Sequence, residues 1–111
     1  MSKYKNVKTR VGGRTFDSKK EAEAYKLLSS AEAGSGELAD LQLQPRFVLQ
    51  EGFTDREGHR HRPITYTADF LVKYKDGREV VIDVKGIKTN IYKLKKKLFI
   101  KKYPQYFFEE W

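Results

Sequence analysis

The strongest constraint on the fold of this 111-residue chain is the turn Asp76-Gly77 between two strand-like runs. Residues 63–74 and 78–85 are both rich in β-branched and aromatic side chains, which favour strands. An Asp-Gly pair between two such runs is the strongest short-range signal for a β-hairpin. We therefore expect the rest of the chain to be organised around this hairpin.

The pattern of apolar residues also predicts the register of the hairpin. With a three-residue loop over residues 75–77, Phe70 faces Ile82, and the other pairs on that face are apolar except the one beside the turn. A two-residue loop would instead place Phe70 opposite Asp83 and mix polar with apolar residues on both faces. The three-residue register is therefore favoured, and it places Asp69 directly opposite Asp83.

Two carboxylates that face each other across neighbouring strands repel unless a positive charge lies between them. Lys85 is two residues past Asp83, on the same face, and is one candidate for that charge. A divalent cation held by oxygen ligands is another candidate, and the two are compatible. The plainer alternative is that Asp69 and Asp83 pair with lysines on a solvated face.

Composition indicates one cytoplasmic domain with an anionic partner. Lys and Arg total 23 against 15 acidic residues, and this net charge of +8 is typical of proteins that bind nucleic acid, although it also serves solubility. The chain has no cysteine and no apolar run of the roughly 20 residues needed to cross a bilayer, so we expect no membrane partner. We assign residues 1–16 to a basic arm or hairpin and residues 17–111 to a single domain.

A first helix is predicted from Ser18 to about Glu32. Ser18 and Glu21 form a capping-box pattern, and Gly34 follows as a terminator. Glu21 lies near the edge of the apolar stripe, so its carboxylate is expected to point towards the sheet; its alternative role is that of a cap alone. The stripe itself consists of Ala24, Tyr25, Leu27, Leu28 and Ala31.

A strand is predicted to start near Leu41, with Pro45 marking an edge or a bulge. Shared parity along the strand places Leu41, Leu43, Phe47 and Leu49 on one face. Residues 51–62 are predicted to form a polar loop. Its His59 and His61 are interpreted as surface residues because no third metal ligand is nearby.

A second helix is predicted to begin after Thr89 or Asn90 and to end before Pro104, with a last strand in residues 105–111. Lysines cover this helix except along an apolar seam, and such a helix can lie along phosphates, although a solvated surface helix is the plainer alternative. The seam consists of Ile91, Leu94, Leu98 and, less centrally, Phe99.

This order of helix, strand, strand, strand, helix and strand resembles the core of the PD-(D/E)xK nuclease superfamily. The signature of the superfamily is present as Asp69 followed by Asp83-Val84-Lys85, with Glu21 as the helical acid. The chain departs from it in having Ala68 instead of proline before Asp69, and Asp83 instead of the commoner glutamate. More narrowly, the chain resembles small phage and prophage endonuclease-like proteins, similar to Holliday-junction resolvases. That resemblance lies in Phe16-Asp17-Ser18-Lys19, Leu43-Gln44-Pro45-Arg46-Phe47, Tyr66-Thr67-Ala68-Asp69-Phe70, Asp83-Val84-Lys85-Gly86 and the lysine-rich helix.

The resemblance implies an α/β fold with a restriction-endonuclease-like core, in which helices flank a central mixed sheet. It also implies a deoxyribonuclease that uses Mg²⁺ or Mn²⁺ and leaves 5′-phosphate and 3′-hydroxyl ends. Asp69, Asp83 and the backbone carbonyl of Val84 would bind the metal. Glu21 would complete the site directly, through water or by a second ion, and Lys85 would position and help to activate the attacking water. The expected DNA contacts are Lys88, Lys93, Lys96, Lys97 and Arg46.

Three functions are therefore open at the level of sequence. The first is a metal-dependent DNA endonuclease, with branched or recombination DNA as its substrate by analogy and a homodimer as a suitable assembly for cutting two strands. The second is a basic DNA-binding module on a nuclease scaffold that no longer cuts. An RNA-binding accessory protein is the third, and the sequence contains no recognisable RNA-binding signature to favour it.

Overall fold

The structure is a computed structural model, and it describes residues 9–11, 14–16, 18–34, 38–84 and 87–111. The helices are α1 (Lys19–Gly34) and α2 (Asn90–Lys102). The strands are β1 (Thr9–Val11), β2 (Arg14–Phe16), β3 (Leu38–Leu43), β4 (Arg46–Gln50), β5 (Phe53–Thr54), β6 (Arg60–His61), β7 (Ile64–Thr67), β8 (Phe70–Tyr74), β9 (Glu79–Asp83) and β10 (Phe107–Glu110).

The centre of the molecule is a four-stranded sheet in the order β10-β9-β8-β3. Strands β9 and β10 run parallel, because α2 provides the crossover between them, and the other neighbours are antiparallel. Helix α1 packs against one face of the sheet and α2 against the other. The protein is thus an α/β fold with a mixed sheet flanked by helices, and the predicted order of helices and strands is confirmed for α1, β3, β8, β9, α2 and β10.

The predicted hairpin register is confirmed for β8 and β9. Phe70 pairs with Ile82 and Lys73 pairs with Glu79, as the three-residue loop requires. Gly77 closes that loop with a φ of +97°, a left-handed conformation that glycine adopts without steric cost.

The long strand predicted for residues 63–74 is divided by a bend, which is a correction. Strand β7 ends at Thr67, β8 begins at Phe70, and β7 pairs with β4. The neighbouring strands β3 and β4 are likewise separated by a bend, at Gln44, which has a φ of +49°. The Gln44 amide donates to the carbonyl of Asp69 over 2.9 Å, and the Ala68 amide donates to the carbonyl of Pro45 over 3.1 Å. These two hydrogen bonds hold the bends together.

Alternation along the strands divides the buried residues into two clusters. Even-numbered residues of β8 and β9 lie on the α1 side and odd-numbered residues on the α2 side. The cluster under α1 contains Phe16, Ala22, Ala24, Leu28, Leu38, Phe70, Val72, Val80 and Ile82. The cluster under α2 contains Phe47, Tyr66, Ala68, Leu71, Val81, Tyr92 and Phe99.

The prediction that Leu41, Leu43, Phe47 and Leu49 share one face is wrong. Leu41 and Leu43 pack against the cluster under α1, whereas Phe47 and Leu49 belong to the cluster under α2. The left-handed residue Gln44 between them interrupts the extended backbone and shifts the alternation.

Helix α1 begins as predicted, since the Ser18 hydroxyl accepts from the Glu21 amide over 3.1 Å. Ala24 and Leu28 are buried as predicted, but Leu27 is 66% exposed, and this part of the predicted stripe is wrong. Fully buried Ala22 shifts the centre of the packed face away from Leu27. The side chain of Ala31 lies outside the described residues.

Helix α2 is turned differently from the prediction. Phe99 is buried, as predicted for that member of the seam, but Ile91, Leu94 and Leu98 are exposed and Tyr92 is buried in their place. Aromatic packing explains the rotation, because Phe99 lies 4.7 Å from Phe47 between ring centroids and stacks on Tyr103 and Tyr106. Thr89 is the N-cap, and its hydroxyl accepts from the Tyr92 amide.

The segment predicted as a polar loop contains the short hairpin β5–β6, which is a further correction. His59 and His61 are exposed, as predicted. Both are close to Asp55, with His61 Nε2 at 2.7 Å from its carboxylate. Hydrogen bonding to His61 is the main reason that the pKa of Asp55 lies below its usual value.

The backbones of β1 and β2 pair antiparallel, which is the hairpin considered for the basic N-terminal stretch. The division of the chain at residue 16 stays a prediction. In the described part of the chain, neither helix is long and apolar enough to span a membrane.

The rotation of α2 can be tested by truncating one side chain on each face. Phe99→Ala should lower the free energy of unfolding by about 3 to 5 kcal/mol, because Phe99 is fully buried. Leu94→Ala should change it by less than about 0.5 kcal/mol, because Leu94 is largely exposed. Equilibrium urea unfolding measures both, with Phe99→Leu as a milder variant if the alanine protein does not fold. A larger loss for Leu94→Ala would restore the seam predicted from the sequence.

Candidate functional site

Asp69 lies at the bend between β7 and β8 and is held there from both sides. Its amide donates to the carbonyl of Ile82 over 3.1 Å, and its carbonyl accepts from Gln44. Its carboxylate accepts from the Val84 amide over 2.6 Å. Because Ile82 and Val84 flank Asp83, these hydrogen bonds fix Asp69 near Asp83, although the β8–β9 pairing itself ends at Phe70 and Ile82.

Asp83 is the last residue of β9 and is only 1% exposed. Its carbonyl accepts from the Trp111 amide over 2.9 Å, which ties the end of β9 to the end of the chain. The Tyr66 hydroxyl donates a hydrogen bond to the Asp83 carboxylate. Burial and this hydrogen bond raise the pKa of Tyr66 far above its usual value, so Tyr66 remains a donor at neutral pH.

Glu21 in the first turn of α1 is also buried. Together with Asp69 it lines a cleft of about 440 Å³, so the side chains of Glu21 and Asp69 face the same space. The residues that line this acidic cleft are Thr15, Phe16, Glu21, Leu43, Gln44 and Asp69. The predicted orientation of Glu21 towards the sheet agrees with this position.

The two aspartates share an electrostatic environment with Tyr66 and Tyr92. Burial is the main cause of the raised pKa of each tyrosine, followed by a hydrogen bond to a carboxylate. The negative charges of Asp83 and Asp69 both add to these rises. Both carboxylates therefore act on the same two hydroxyl groups, close to the N-terminal end of α2.

The donors of the predicted metal site are oxygen atoms, which Mg²⁺ and Mn²⁺ prefer. Asp69 and Asp83 are neighbours, and Glu21 shares a cleft with Asp69. Lys85, the predicted lysine of the site, lies outside the described residues. Among the residues that the structure describes, no group of three or more His, Cys, Asp or Glu side chains is close enough to hold one metal ion. The donors of Asp69, Asp83 and Glu21 therefore fit such a metal in their oxygen chemistry, whereas the described side chains do not form a three-ligand group.

A second cleft, of about 410 Å³, lies between α2 and β10. It brings together all four lysines predicted to contact DNA, and we call it the lysine cleft. Arg46, the fifth predicted contact, is exposed at the start of β4 and is not among the described residues that line this cleft. The lining residues are Lys88, Tyr92, Lys93, Lys96, Lys97, Ile100 and Glu110.

Glu110 is the anionic centre of the lysine cleft. Its Oε1 lies 3.3 Å from the ammonium group of Lys88 and 3.2 Å from that of Lys96. Its Oε2 accepts from the Tyr92 hydroxyl over 2.7 Å. The hydrogen bond from Tyr92, together with those from the two lysines, lowers the pKa of Glu110 to about 2. Glu110 is also the neighbour of Asp83 in the β9–β10 register, so the lysine cleft lies one strand from the acid pair.

Three residues of the site were not identified from the sequence. Tyr66 precedes the bend by two residues, and nothing in the local pattern indicates that the bend turns its hydroxyl to Asp83. Tyr92 lies off the apolar seam that the spacing of leucines and isoleucines predicts. Glu110 reaches the site through parallel pairing across a helix, which has no local sequence signal.

The fold and the two clefts define an α/β protein with buried acids beside a lysine-rich surface. The family model described as "Protein of unknown function (DUF1064)" matches residues 1–110, and the chain belongs to this family. Searches of the curated proteins and of the solved structures give no significant match.

The network around Glu110 predicts a pH-dependent contribution to stability. At pH 7, Glu110→Gln should lower the free energy of unfolding by about 1 to 2 kcal/mol, because it removes charge-assisted hydrogen bonds. Since the pKa of Glu110 is lowered, this contribution is present above the ordinary value of 4.5 and is lost as the pH falls towards about 2. Urea unfolding at a series of pH values measures it.

Glu109→Gln is the matched control, because it makes the same change of charge at the neighbouring residue. Glu109 is exposed and accepts from the Trp111 indole over 3.0 Å. The network would be contradicted if both variants lost the same free energy of unfolding at pH 7. It would also be contradicted if the difference between their free energies of unfolding did not become smaller in acid.

Proposed function

We propose that this protein is a metal-dependent DNA endonuclease that hydrolyses phosphodiester bonds, with a restriction-endonuclease-like core. The observation that carries the proposal is the position of Asp69, which lies beside Asp83 and opens onto the same cleft as Glu21. Asp69 and Asp83 place carboxylate oxygens from two neighbouring strands near each other, and such oxygens are the donors that a divalent cation takes.

The metal would be Mg²⁺ or Mn²⁺, held by Asp69, Asp83, the backbone carbonyl of Val84 and Glu21. When bound, the ion would stabilise negative charge on the phosphate and help to deprotonate water. Every proposed ligand atom is an oxygen, which suits these hard cations. The hydrogen bond from the Val84 amide holds the Asp69 carboxylate next to the end of β9, where Asp83 lies.

The chain's own groups have separate roles in the proposed reaction. The Tyr66 hydroxyl orients the Asp83 carboxylate through a hydrogen bond, and its raised pKa keeps the proton on Tyr66. Lys85, outside the described residues, would position and activate the water that attacks the phosphorus atom. Hydrolysis would leave a 5′-phosphate and a 3′-hydroxyl.

DNA would bind through the basic surface of α2 and through Arg46. The net charge of +8 supports a polyanionic partner, and the lysine cleft lies next to the acid pair. Affinity should therefore fall steeply with salt, because each neutralised phosphate releases counterions. Branched or recombination DNA as the preferred substrate, a homodimer as the active assembly and a cytoplasmic location complete the proposal and rest on resemblance and composition.

The second candidate is a DNA-binding module that no longer cuts. It is favoured by one observation, namely that the described residues contain no ready-made group of three or more metal-ligating side chains. Both candidates predict DNA binding, so only cleavage distinguishes them.

The test uses Asp83→Asn, which keeps the size of the buried side chain and removes its charge. Purified protein is incubated with branched, duplex and single-stranded DNA in Mg²⁺, Mn²⁺ or EDTA, and cleavage and binding are measured separately. Asp83→Asn should reduce the cleavage rate by at least about 100-fold and leave DNA binding in EDTA unchanged, because the charge acts on the metal. Asp76→Asn is the matched control, since Asp76 is an exposed turn residue that pairs with Arg78.

The control variant should cleave at the rate of the wild-type protein. Metal-dependent cleavage that survives Asp83→Asn would remove the site assignment. Binding without cleavage on every substrate, in either metal, would favour the non-cleaving module.

A further inference from the structure

The lysine cleft concentrates positive charge at one point instead of spreading it along α2. Lys88 precedes the helix, whereas Lys93, Lys96 and Lys97 lie on it, yet all four line the same cavity. A surface that only follows a nucleic-acid backbone needs charges distributed along a track. Convergence on one cavity is instead suited to a single compact anion.

Glu110 shows how this cleft holds an anionic oxygen. One carboxylate oxygen bridges Lys88 and Lys96, and the other accepts from the Tyr92 hydroxyl. Phosphate oxygens make the same kinds of hydrogen bond with ammonium and hydroxyl donors. The neighbouring donors are therefore already arranged for an anion with several oxygens.

The charge of the cleft exceeds what Glu110 neutralises. Four ammonium groups and one carboxylate leave three net positive charges around the cavity. Lys93 and Lys97 are exposed and line the cavity, so they can approach an incoming anion. An internal phosphodiester carries one negative charge, whereas a phosphate monoester carries about 1.5 to 2 at neutral pH. The excess charge favours the monoester.

We propose that the lysine cleft binds a terminal phosphate monoester at the end of a DNA strand. Lys93 and Lys97 contact the phosphate, while Glu110 holds Lys88 and Lys96 in place beside it. The side chain of Ile100 provides an apolar wall against which the terminal sugar or base packs. The identity of the partner as DNA rests on the proposed function, whereas recognition of the phosphate rests on the cleft itself.

The lysine cleft lies near the residues of the proposed reaction. Glu110 pairs in register with Asp83, so a strand end in the cleft would lie close to the acid pair. Hydrolysis that leaves a 5′-phosphate creates a group of the class that the cleft binds. The cleft would then hold a product end, or an existing strand end near a break.

The experiment measures the affinity of the full chain for one short oligonucleotide in three forms. These forms carry a 5′-phosphate, a 3′-phosphate or hydroxyls at both ends, and binding is followed by fluorescence anisotropy in EDTA. One of the phosphorylated forms should bind about tenfold more tightly than the hydroxyl form, the effect of roughly one extra charge-assisted contact. Inorganic phosphate should compete more strongly against the phosphorylated form.

Two double variants separate the cleft from general basicity. Lys93→Ala with Lys97→Ala should abolish the preference for the phosphorylated end. Lys101→Ala with Lys102→Ala removes the same charge from the same helix but from residues outside the cleft lining, and it should keep the preference. Circular dichroism confirms that both double variants are folded.

Equal affinity for the three oligonucleotides, or equal loss of preference in the two double variants, would overturn the proposal. Because binding is measured in EDTA, the result does not depend on cleavage. If the protein showed no preference for a phosphorylated end but Asp83→Asn lost cleavage as expected, only the phosphate site would be ruled out. A clear preference in a protein that does not cut would leave the phosphate site standing without the nuclease.

Discussion

The arrangement of the whole site depends on how the backbone fixes Asp69 next to Asp83. Their strands are joined by a hydrogen bond on each side of Asp83, one to the carbonyl of Ile82 and one from the amide of Val84. The first of these is a backbone hydrogen bond and the second holds the Asp69 carboxylate itself, so two acidic residues lie close together at the cost of repulsion between like charges. Tyr66 offsets part of that cost by donating to Asp83. In the proposed nuclease, a divalent cation held by both residues would offset the rest of that cost.

The rotation of α2 connects the core to the basic surface. Burial of Tyr92 and Phe99 in the aromatic cluster turns Lys93, Lys96 and Lys97 towards β10. Had the leucine and isoleucine seam been buried instead, these lysines would face another side of the helix. The same packing therefore stabilises the domain and assembles the lysine cleft beside the acid pair. Glu110 links the lysine cleft to the acid pair, because it forms an ion pair with Lys96 of the cleft and lies opposite Asp83 of β9.

The sequence predicted features that depend on local physics. The Asp-Gly loop and the alternation around it give the register of β8 and β9, and the serine cap gives the start of α1. Pro45 indicated an edge or a bulge, but the sequence did not predict the left-handed backbone of Gln44 or the bend at Ala68–Asp69. Each bend depends on hydrogen bonds between strands that are distant in sequence. A left-handed Gln44 has no strong local signal, so the change of faces along this strand could not be read from the residues alone.

The residues of the site also divide into those placed by local sequence and those placed by contacts between distant segments. The proximity of Asp69 and Asp83 follows from the hairpin, and the inward direction of Glu21 follows from helical periodicity. The Tyr92–Glu110 contact depends on aromatic packing and on parallel pairing across α2, which are both non-local. The spacing of aliphatic residues in α2 predicts burial of Ile91, Leu94 and Leu98, whereas aromatic packing instead buries Tyr92 together with Phe99.

In the proposed nuclease Asp69 and Asp83 share a divalent cation, and direct metal binding tests this sharing without any substrate. Titration of the protein with Mn²⁺, followed by electron paramagnetic resonance, counts bound ions. The wild-type protein should bind Mn²⁺ and lose most of that binding in Asp69→Asn, while Asp40→Asn, at an exposed strand residue, should bind as before. Binding that is absent in the wild-type protein, or unchanged in Asp69→Asn, would contradict the account.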